Sequence, residues 1–316
     1  MLFIGNRQFV VIIKRFLCFS LLGFFFVFNV NAYPIFARQY FSSPREVSGR
    51  IACSYCHLAQ KAINLSMPHS VFPNTVFEAV IKIPYEKNLK QISGQGNKTG
   101  LNIGAILILP DGYSLAPIDR IPSSLKEKIN NLAFLPYNNA NKSTFMVGPV
   151  NGEKYNRELI FPVLAPDYGD SNANFIKSSI YVGGNRGRGQ LYPNGEKSNN
   201  NIYTSSVNGK IREIKPGSKN DFNILIETKD KTSVIETVGP GANLIVKEGQ
   251  EISIDQSLTT DPNVGGFGQF ETEILLQNPV RLQNLLLFSF FIFLSQIFLV
   301  LKKKQFEKVQ LFDMNF

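Results

Sequence analysis

Alternating apolar and polar positions dominate the middle of the chain and predict β-strands. Between residues 75 and 83, Phe77, Ala79, Ile81 and Ile83 take every second position, which places them on one face of a strand. Further short apolar runs lie at 101–109, 144–147, 222–228, 234–238 and 243–246, with Gly, Asn and Asp residues near their ends. Strands of this length separated by turn residues indicate an all-β body.

One internal segment predicts an α-helix instead. Ser124 and Glu127 stand three residues apart, the order of a capping box that opens a helix. The helix must end before Pro136, because proline has no backbone N–H to donate. The body is therefore predicted to be all-β with one short helix.

The segment 1–32 has the pattern of a cleaved signal peptide. Three basic residues precede an uncharged apolar run at 16–28, and residues 30–32 form an ending of the A-x-A type. A retained transmembrane helix is the alternative, but the apolar run is short and no stop-transfer sequence follows Tyr33. Cleavage would also remove Cys18, leaving one pair of cysteines and no disulfide framework.

A second apolar segment, 282–301, contains 20 residues without a charge and is followed by three lysines. At about 1.5 Å per residue it is long enough to cross a bilayer core of about 30 Å, and the lysines favour an inner location for the tail 302–316. Several polar side chains predict that one face of this helix packs on other helices. They are Gln283, Asn284, Ser289, Ser295 and Gln296.

The net charge of +9 is partly due to the two ends of the chain. Without the leader and the tail, residues 33–301 carry +4, and this charge is uneven. Residues 186–219 contain seven basic and two acidic residues, whereas 221–261 contain three basic and eight acidic ones. A basic patch on an exported domain favours an acidic protein partner over nucleic acid.

The most specific chemical signal is the sequence Cys-Ser-Tyr-Cys-His at residues 53–57. At this spacing two thiols can add to the vinyl groups of a haem, while the imidazole of the next residue coordinates the iron. Cys53 and Cys56 are therefore predicted to attach one haem c covalently, with His57 as an axial ligand.

Two other interpretations of the motif were considered. A zinc site needs four ligands, and His69 is the one further candidate beside the motif. A thioredoxin-like dithiol would be followed by a long helix, whereas prolines occur here at 68 and 73. Both alternatives are weaker than haem attachment.

The residues alone leave the second axial ligand open. The candidates are Met67, Met146, His69 and the amino group that cleavage would create on Tyr33. Methionine is a common partner of histidine in c-type cytochromes, but both methionines have the surroundings of core residues. An α-amino group is a credible ligand because its pKa is about 8.

Glycine-rich runs at 183–189 and 262–268 lack the context of phosphate-binding loops and predict turns or close packing. Together with the asparagines at 199–201, they indicate a boundary within the β body.

Several stretches together resemble the cytochrome f family of oxygenic photosynthesis, in order and in spacing. They are residues 33–37, 44–46, 49–51, 53–57, 181–190 and 302–310. The resemblance implies a large haem-binding β-sandwich domain (33–200 and 254–281), a small inserted β domain (201–253) and one transmembrane helix (282–301). It also implies that the amine of Tyr33 binds the iron opposite His57.

An iron with both axial positions filled carries single electrons and activates no substrate. The resemblance implies a place in the cytochrome bf complex beside cytochrome b, with the Rieske iron-sulfur protein as donor and plastocyanin or a soluble c-type cytochrome as acceptor. Docking is implied at Lys90, Lys98 and Lys210, although Gly96-Asn97 stands where relatives often carry a second lysine. A haem enzyme with an open axial site, or a structural membrane-anchored β-domain, are the alternatives.

The resemblance further implies an internal line of polar groups near the haem, at Gln91, Asn185, Gln190, Asn200 and Asn263. The resemblance also implies a location in the thylakoid membrane, with the haem domain in the lumen and the C-terminus in the stroma. The leader lacks the Ser- and Arg-rich composition of a plastid transit peptide, so the chain is predicted to be made inside a chloroplast or in a cyanobacterium, with the chloroplast preferred.

Overall fold

The computed structural model describes residues 34–138, 143–167, 176–217 and 221–315. In these ranges the helices are α1 (Pro34–Tyr40), α2 (Ser123–Ile129) and α3 (Pro279–Met314), and a 3-10 turn covers Ala52–Tyr55. The strands are β1 (Asn64–Ser66), β2 (Ser70–Val71), β3 (Val76–Lys82), β4 (Lys90–Ile92), β5 (Lys98–Gly100), β6 (Asn102–Ile108), β7 (Ser114–Leu115), β8 (Leu135–Pro136), β9 (Thr144–Asn151), β10 (Glu158–Leu164), β11 (Ile176–Arg186), β12 (Gly209–Pro216), β13 (Phe222–Thr228), β14 (Ser233–Val238), β15 (Glu251–Ile252) and β16 (Gly266–Leu276).

Two sheets pack face to face and enclose the main core. One has the order β1-β3-β10-β7, and the other has the order β2-β16-β11-β6-β9-β8. Within these sheets the pairings are antiparallel except that of β2 with β16. The core between them is built from alternate positions of β3, β6, β10, β11 and β16, and helix α2 contributes Leu125 and Ile129 at its edge.

The six-stranded sheet also has apolar residues on its outer face. On β6, Ile103, Ala105 and Leu107 face the main core, whereas Ile106 faces the other side. There Ile106 joins a second cluster, which we call the outer cluster. Its other members include Ile51, Met146 of β9 and, packed against them, Cys53. The alternation of a strand therefore places Cys53 against the outside of this sheet.

A third sheet, β14-β13-β12-β15, has a core of its own. Its centre is formed by Ile211, Ile224 and Ile226, all almost completely buried. The β4–β5 hairpin is separate from the three sheets, and its turn contacts the segment that follows β14.

Helix α3 is 36 residues long and begins at a proline, where the missing N–H costs nothing. The Asn278 side chain caps it by accepting from the backbone N–H of Arg281 at 3.0 Å. Within the described residues it is the one helix long and apolar enough to span a membrane, and none of its apolar window is buried against the rest of the chain. The helix continues beyond the three lysines to Met314.

Most predicted strands are confirmed. Phe77, Ala79, Ile81 and Ile83 are buried along β3 and just after it, and the runs at 101–109, 144–147, 222–228 and 234–238 coincide with β6, β9, β13 and β14. The glycines of 183–189 are close-packed as predicted, because a Cβ on Gly184 would lie 3.2 Å from the side chains of Ile63 and Ile83.

Two local predictions were wrong, and one helix was missed. The run at 243–246 is not a strand, since Leu244 makes one isolated bridge to Thr259. Helix α2 begins after Pro122 without any side-chain cap, so Ser124 and Glu127 do not form the predicted capping box. Helix α1 was not predicted at all, because seven residues that start with proline carry no helical pattern. The proposed leader, 1–32, and Tyr33 lie outside the described residues.

Candidate functional site

The motif Cys53–His57 is folded into one tight turn. The 3-10 turn ends at Cys56, and the backbone N–H of His57 donates to the carbonyl of Cys53 at 3.1 Å. Both thiols are free, and the preceding Ile51 is buried in the outer cluster as an anchor. The two cysteines and the histidine are thus held close together on this one turn.

The segment after β11 binds the motif from one side. The backbone N–H of Gln190 donates to the carbonyl of Cys56 at 2.7 Å, and its side-chain oxygen accepts from the N–H of Leu58 at 2.8 Å. Gly189 passes so close that a Cβ there would lie 2.9 Å from the Cys56 oxygen. Glycine is required at this position by the close approach of two backbones.

The loop before the motif is held by β16 and β11. Gln269 accepts from the N–H of Ile51 at 3.3 Å and donates to the carbonyl of Gly49 at 3.2 Å. The guanidinium of Arg45 lies 3.7 Å from the ring centre of Tyr181, a cation–π contact. These contacts join the loop to the six-stranded sheet.

Helix α1 packs against the other side of the motif. The rings of Phe41 and Tyr55 are stacked with their centres 4.7 Å apart. The hydroxyl of the buried Tyr137 lies 2.7 Å from the carbonyl oxygen of Phe41 and 3.2 Å from that of Ala37. It thereby donates to the carbonyl of Phe41 just beyond the helix, whereas the carbonyl of Ala37 already accepts from the backbone N–H of Phe41 at 2.9 Å.

His57 is 7% exposed, and burial lowers the pKa of its imidazole to about 4. The ring is therefore neutral at physiological pH, as metal ligation requires. One ring nitrogen lies 3.3 Å from the side-chain nitrogen of Asn185, and the other has no hydrogen-bond partner within the described part of the chain. A buried, neutral imidazole with an unpaired nitrogen fits the role of an iron ligand.

The thiols lack the lowered pKa that is typical of redox-active cysteines. Burial and the neighbouring Cys56 raise the pKa of the Cys53 thiol to about 12, and burial also raises the pKa of Cys56. Reactive dithiols need a lowered thiol pKa. The donor set, two protonated thiols and one neutral imidazole, fits a covalently attached haem c.

The other candidate axial ligands are dispersed. Met67 packs against the main core, and Met146 is 1% exposed in the outer cluster beside Cys53. His69 lies just before β2, where its backbone carbonyl accepts from Leu275. Tyr33 directly precedes α1 in sequence and lies outside the described residues.

Polar side chains continue from His57 toward the β4–β5 hairpin. Gln91, Gln190 and Asn200 are buried, and the Asn200 side chain donates to Asn263 at 3.2 Å. A cavity of about 330 Å³ lies between Asn185 and this hairpin, and its walls include Gln91, Ser93, Asn102 and Arg188. Of the five residues of the predicted polar line, three are buried, and Asn185 and Asn263 are half-buried. Their role stays a prediction.

The three predicted docking lysines are exposed but have different neighbours. Lys90 and Lys98 lie on the two strands of the β4–β5 hairpin. Lys210 lies on β12 directly opposite Glu227 on one side and Glu251 on the other. Because Glu227 forms an ion pair with Arg212, Glu251 is the neighbour that can partly compensate the charge of Lys210.

Sequence reasoning missed the residues that hold the motif in place. Gln269 and Tyr137 are more than 80 residues from Cys53 in the chain and carry no local pattern. The Asn199 amide, which bonds to the carbonyls of Ser93 and Pro240, was noted as part of a polar run without this role.

A mainly β fold, a haem-attachment turn with a buried neutral imidazole, and one apolar helix define a membrane-anchored c-type cytochrome. Two family models cover most of the chain: apocytochrome F, N-terminal, matches residues 33–187, and apocytochrome F, C-terminal, matches residues 199–316. The chain belongs to the cytochrome f family.

Similar proteins span the chain almost completely. A cytochrome f from Bigelowiella natans is 67% identical over 311 residues, which cover 98% of this chain and 99% of the relative. Those from Chlorella vulgaris and Chaetosphaeridium globosum are 55% and 53% identical, and they are covered to 94% and 96%.

Family membership confirms the all-β fold class, the haem c cofactor and the electron-carrying function. The protein is a thylakoid-membrane subunit of the cytochrome bf complex, anchored by one apolar helix. Family membership assigns the motif to haem c in place of the zinc and dithiol interpretations, and the raised thiol pKa values also disfavour a reactive dithiol.

Proposed function

We propose that the haem is attached through Cys53 and Cys56 and that its iron is held axially by His57 and by the α-amino group of Tyr33. The buried, neutral imidazole of His57, with one nitrogen unpaired among the described residues, carries this proposal. When bound in this way, the haem supplies an iron that changes between two oxidation states without an open coordination position.

The chain's own residues would keep that iron site rigid. Gln190 and Gln269 fix the backbone on both sides of the turn, and Asn185 lies beside the His57 ring. Helix α1 supports the assignment of Tyr33, since it begins at the next residue and packs against Tyr55 through Phe41. The match to the N-terminal family model also begins at residue 33.

The ligand assignment can be tested by N-terminal sequencing and absorption spectroscopy of the membrane-extracted protein. We expect a mature start at Tyr33, covalent haem, and no spectral shift when cyanide is added to the oxidised form. His57→Ala should lose the native spectrum, whereas His69→Ala and Met146→Leu should retain it. A different start, or ready cyanide binding by the native protein, would reopen the methionine ligands and the haem-enzyme alternative.

We propose further that the protein accepts electrons from the Rieske iron-sulfur protein and passes them to plastocyanin or a soluble c-type cytochrome. Cytochrome b would be a neighbour in the same complex. Exposed lysines on the β4–β5 hairpin support an acidic acceptor that docks by charge.

For the membrane orientation we propose a lumenal haem domain and a stromal C-terminus, in a chloroplast. The leader pattern at 1–32 supports export of the body, and the lysines at 302–304 support retention of the tail. The orientation can be tested by adding a protease to right-side-out thylakoids. We expect the protease to remove an epitope at the C-terminus and to leave the haem domain intact, because only the tail would be on the outer side.

For the domain organisation we propose the large haem-binding unit 33–200 with 254–281, the inserted unit 201–253 and the membrane span 282–301. The separate apolar core of the third sheet supports the inserted unit, although Leu258 also contributes to that core. Limited proteolysis that cuts near residues 200 and 254 would support these boundaries.

A further inference from the structure

The apolar part of helix α3 has two faces of different composition. One face carries Leu285, Ser289, Ile292, Gln296 and Leu299, at alternating spacings of four and three residues. The opposite face carries Leu287, Phe291, Leu294, Phe298 and Leu301 at the same spacings, without a polar group among them, and Gln283 lies one turn before Leu287 on that side at the end of the span. Such spacings place each set on a single side of a helix. We call these the polar stripe and the apolar stripe.

The serines of the span are satisfied by the helix itself. The hydroxyl of Ser289 donates to the carbonyl of Leu285 at 2.9 Å, and that of Ser295 donates to the carbonyl of Phe291 at 2.8 Å. Gln296 is different, because its side-chain amide makes no hydrogen bond within the described part of the chain and is exposed. A free primary amide in a hydrocarbon environment is unfavourable, since lipid tails offer it no partner.

The position and direction of Gln296 prevent an escape to water. It lies six residues before Lys302, which is about 9 Å along the helix axis. Helical side chains point toward the N-terminus, so the amide is directed to the bilayer centre and away from the nearer interface. Gln283 has the opposite situation, because it lies at the N-terminal end of the span and points outward.

We propose that the polar stripe is the face on which α3 binds the transmembrane helix of another subunit, with Gln296 hydrogen-bonded to a polar group of that helix. This inference rests on membership of a multisubunit complex and not on the proposed iron ligands. The apolar stripe then faces lipid. Interhelical hydrogen bonds from amide side chains are a known means of association in membranes.

A second copy of the chain is a poorer occupant. Two residues separate the end of β16 from the start of α3, so the helix is attached closely to the sandwich. Packed helices lie about 8–10 Å apart, whereas a six-stranded sheet is about 25 Å wide. Two sandwiches would therefore compete for the same space above a pair of α3 helices.

Nitroxide labels on the two stripes provide a direct test in the assembled complex. The mature chain has cysteines only in the haem motif, so Ile292→Cys and Leu294→Cys each give one free thiol for labelling. We expect dissolved oxygen to relax the label at 294 strongly and the label at 292 several-fold less. Equal access at both positions would overturn the proposal, as would spin–spin broadening at 292 between two copies.

Substitution of the amide tests its contribution. Gln296→Leu should release the subunit from the complex at a lower detergent concentration than the native protein, and Gln296→Asn should restore part of the resistance. Gln283→Leu is the matched control and should behave as native. An unaltered haem spectrum in all three variants would verify folding of the haem domain. Native resistance in Gln296→Leu would contradict the proposal while leaving the iron-ligand assignment untouched.

Discussion

Gly96 and Gly241 lie against each other where the β4–β5 hairpin meets the segment after β14. A Cβ on Gly241 would be 2.6 Å from the Cα of Gly96, and one on Gly96 would be 2.8 Å from the nitrogen of Gly241. Both residues also have positive φ, +88° and +84°. The contact connects the hairpin that carries Lys90 and Lys98 to the sheet that carries Lys210.

Gly241→Ala should therefore destabilise the protein more than a change of φ alone explains. Gly249 is a matched control, because its φ is +82° and nothing lies within 4 Å of an added Cβ. We expect Gly249→Ala to lower the free energy of unfolding by about 1 kcal/mol and Gly241→Ala by a further 1–3 kcal/mol, approximately. Denaturant unfolding of the haem-loaded protein would measure both. Equal losses of the free energy of unfolding in the two variants would mean that the hairpin moves to accommodate the added methyl group.

Asn199 holds the same junction through hydrogen bonds. Its amide donates to the carbonyls of Ser93 and Pro240, both at 2.9 Å, and its oxygen accepts from Arg188 at 2.6 Å. Asn199→Leu should cost about 1–3 kcal/mol and increase hydrogen exchange in residues 93–97. Asn194→Leu, in an exposed turn, should cost about 0.5 kcal/mol or less. Unchanged exchange in the hairpin would show that Asn199 does not restrain it.

The strands could be predicted because burial on one side imposes a local pattern. Every second residue of β3 must be apolar, and this requirement is visible in the sequence from residue 75 to residue 83, which includes the seven residues of the strand. Helix α1 could not be predicted, since short helices depend on tertiary contacts, which here come from Tyr137 and Tyr55. The run at 243–246 was wrongly predicted to be a strand because Leu244 and Val246 do enter the core of the third sheet, although the run joins no ladder and Ile245 is exposed.

The chemistry of the site was predictable only where it is contiguous in sequence. The two cysteines and His57 are within five residues, so their spacing alone identifies haem attachment. Gln190 and Gln269 reach the motif from strands and loops more than 130 residues away. The family resemblance alone places Gln190 near the haem, and no property of Gln269 in a β-rich sequence distinguishes it from a surface residue until the fold brings it to the motif.

Two buried tyrosines predict opposite effects of removing a hydroxyl. Tyr113 is 5% exposed and its hydroxyl has no partner within the described residues, whereas the Tyr137 hydroxyl bonds to the carbonyl of Phe41. At pH 7, Tyr113→Phe should raise the free energy of unfolding by about 1 kcal/mol, and Tyr137→Phe should lower it by about 1 kcal/mol. Denaturant midpoints of the two variants would test this difference, and a loss of stability in Tyr113→Phe would contradict it.

The same tyrosines predict the alkaline limit of stability. Burial is the main cause that raises the pKa of each phenol from 10.0 to about 12. The folded state therefore retains protons that the unfolded state releases, so stability is full below about pH 10 and falls as the pH rises toward 12. Each phenol contributes up to about 1.4 kcal/mol per pH unit in this window. Unfolding curves between pH 9 and 11.5 should be less pH-dependent in either phenylalanine variant, and an unchanged slope would exclude that phenol.

The lysines predict a graded effect on the association with an acidic plastocyanin. Lys90→Gln and Lys98→Gln should each lower the association rate constant severalfold at an ionic strength of 0.01 M, where charges act over about 30 Å. The effect should disappear near 1 M. Lys210→Gln should have a smaller effect, because Glu251 on the neighbouring strand partly compensates the charge of Lys210. Lys128→Gln is the control, since Lys128 pairs with Glu78 at 3.0 Å. Stopped-flow oxidation of the reduced protein would measure the four rates, and equal losses in all variants would mean that net charge, not the hairpin, controls docking.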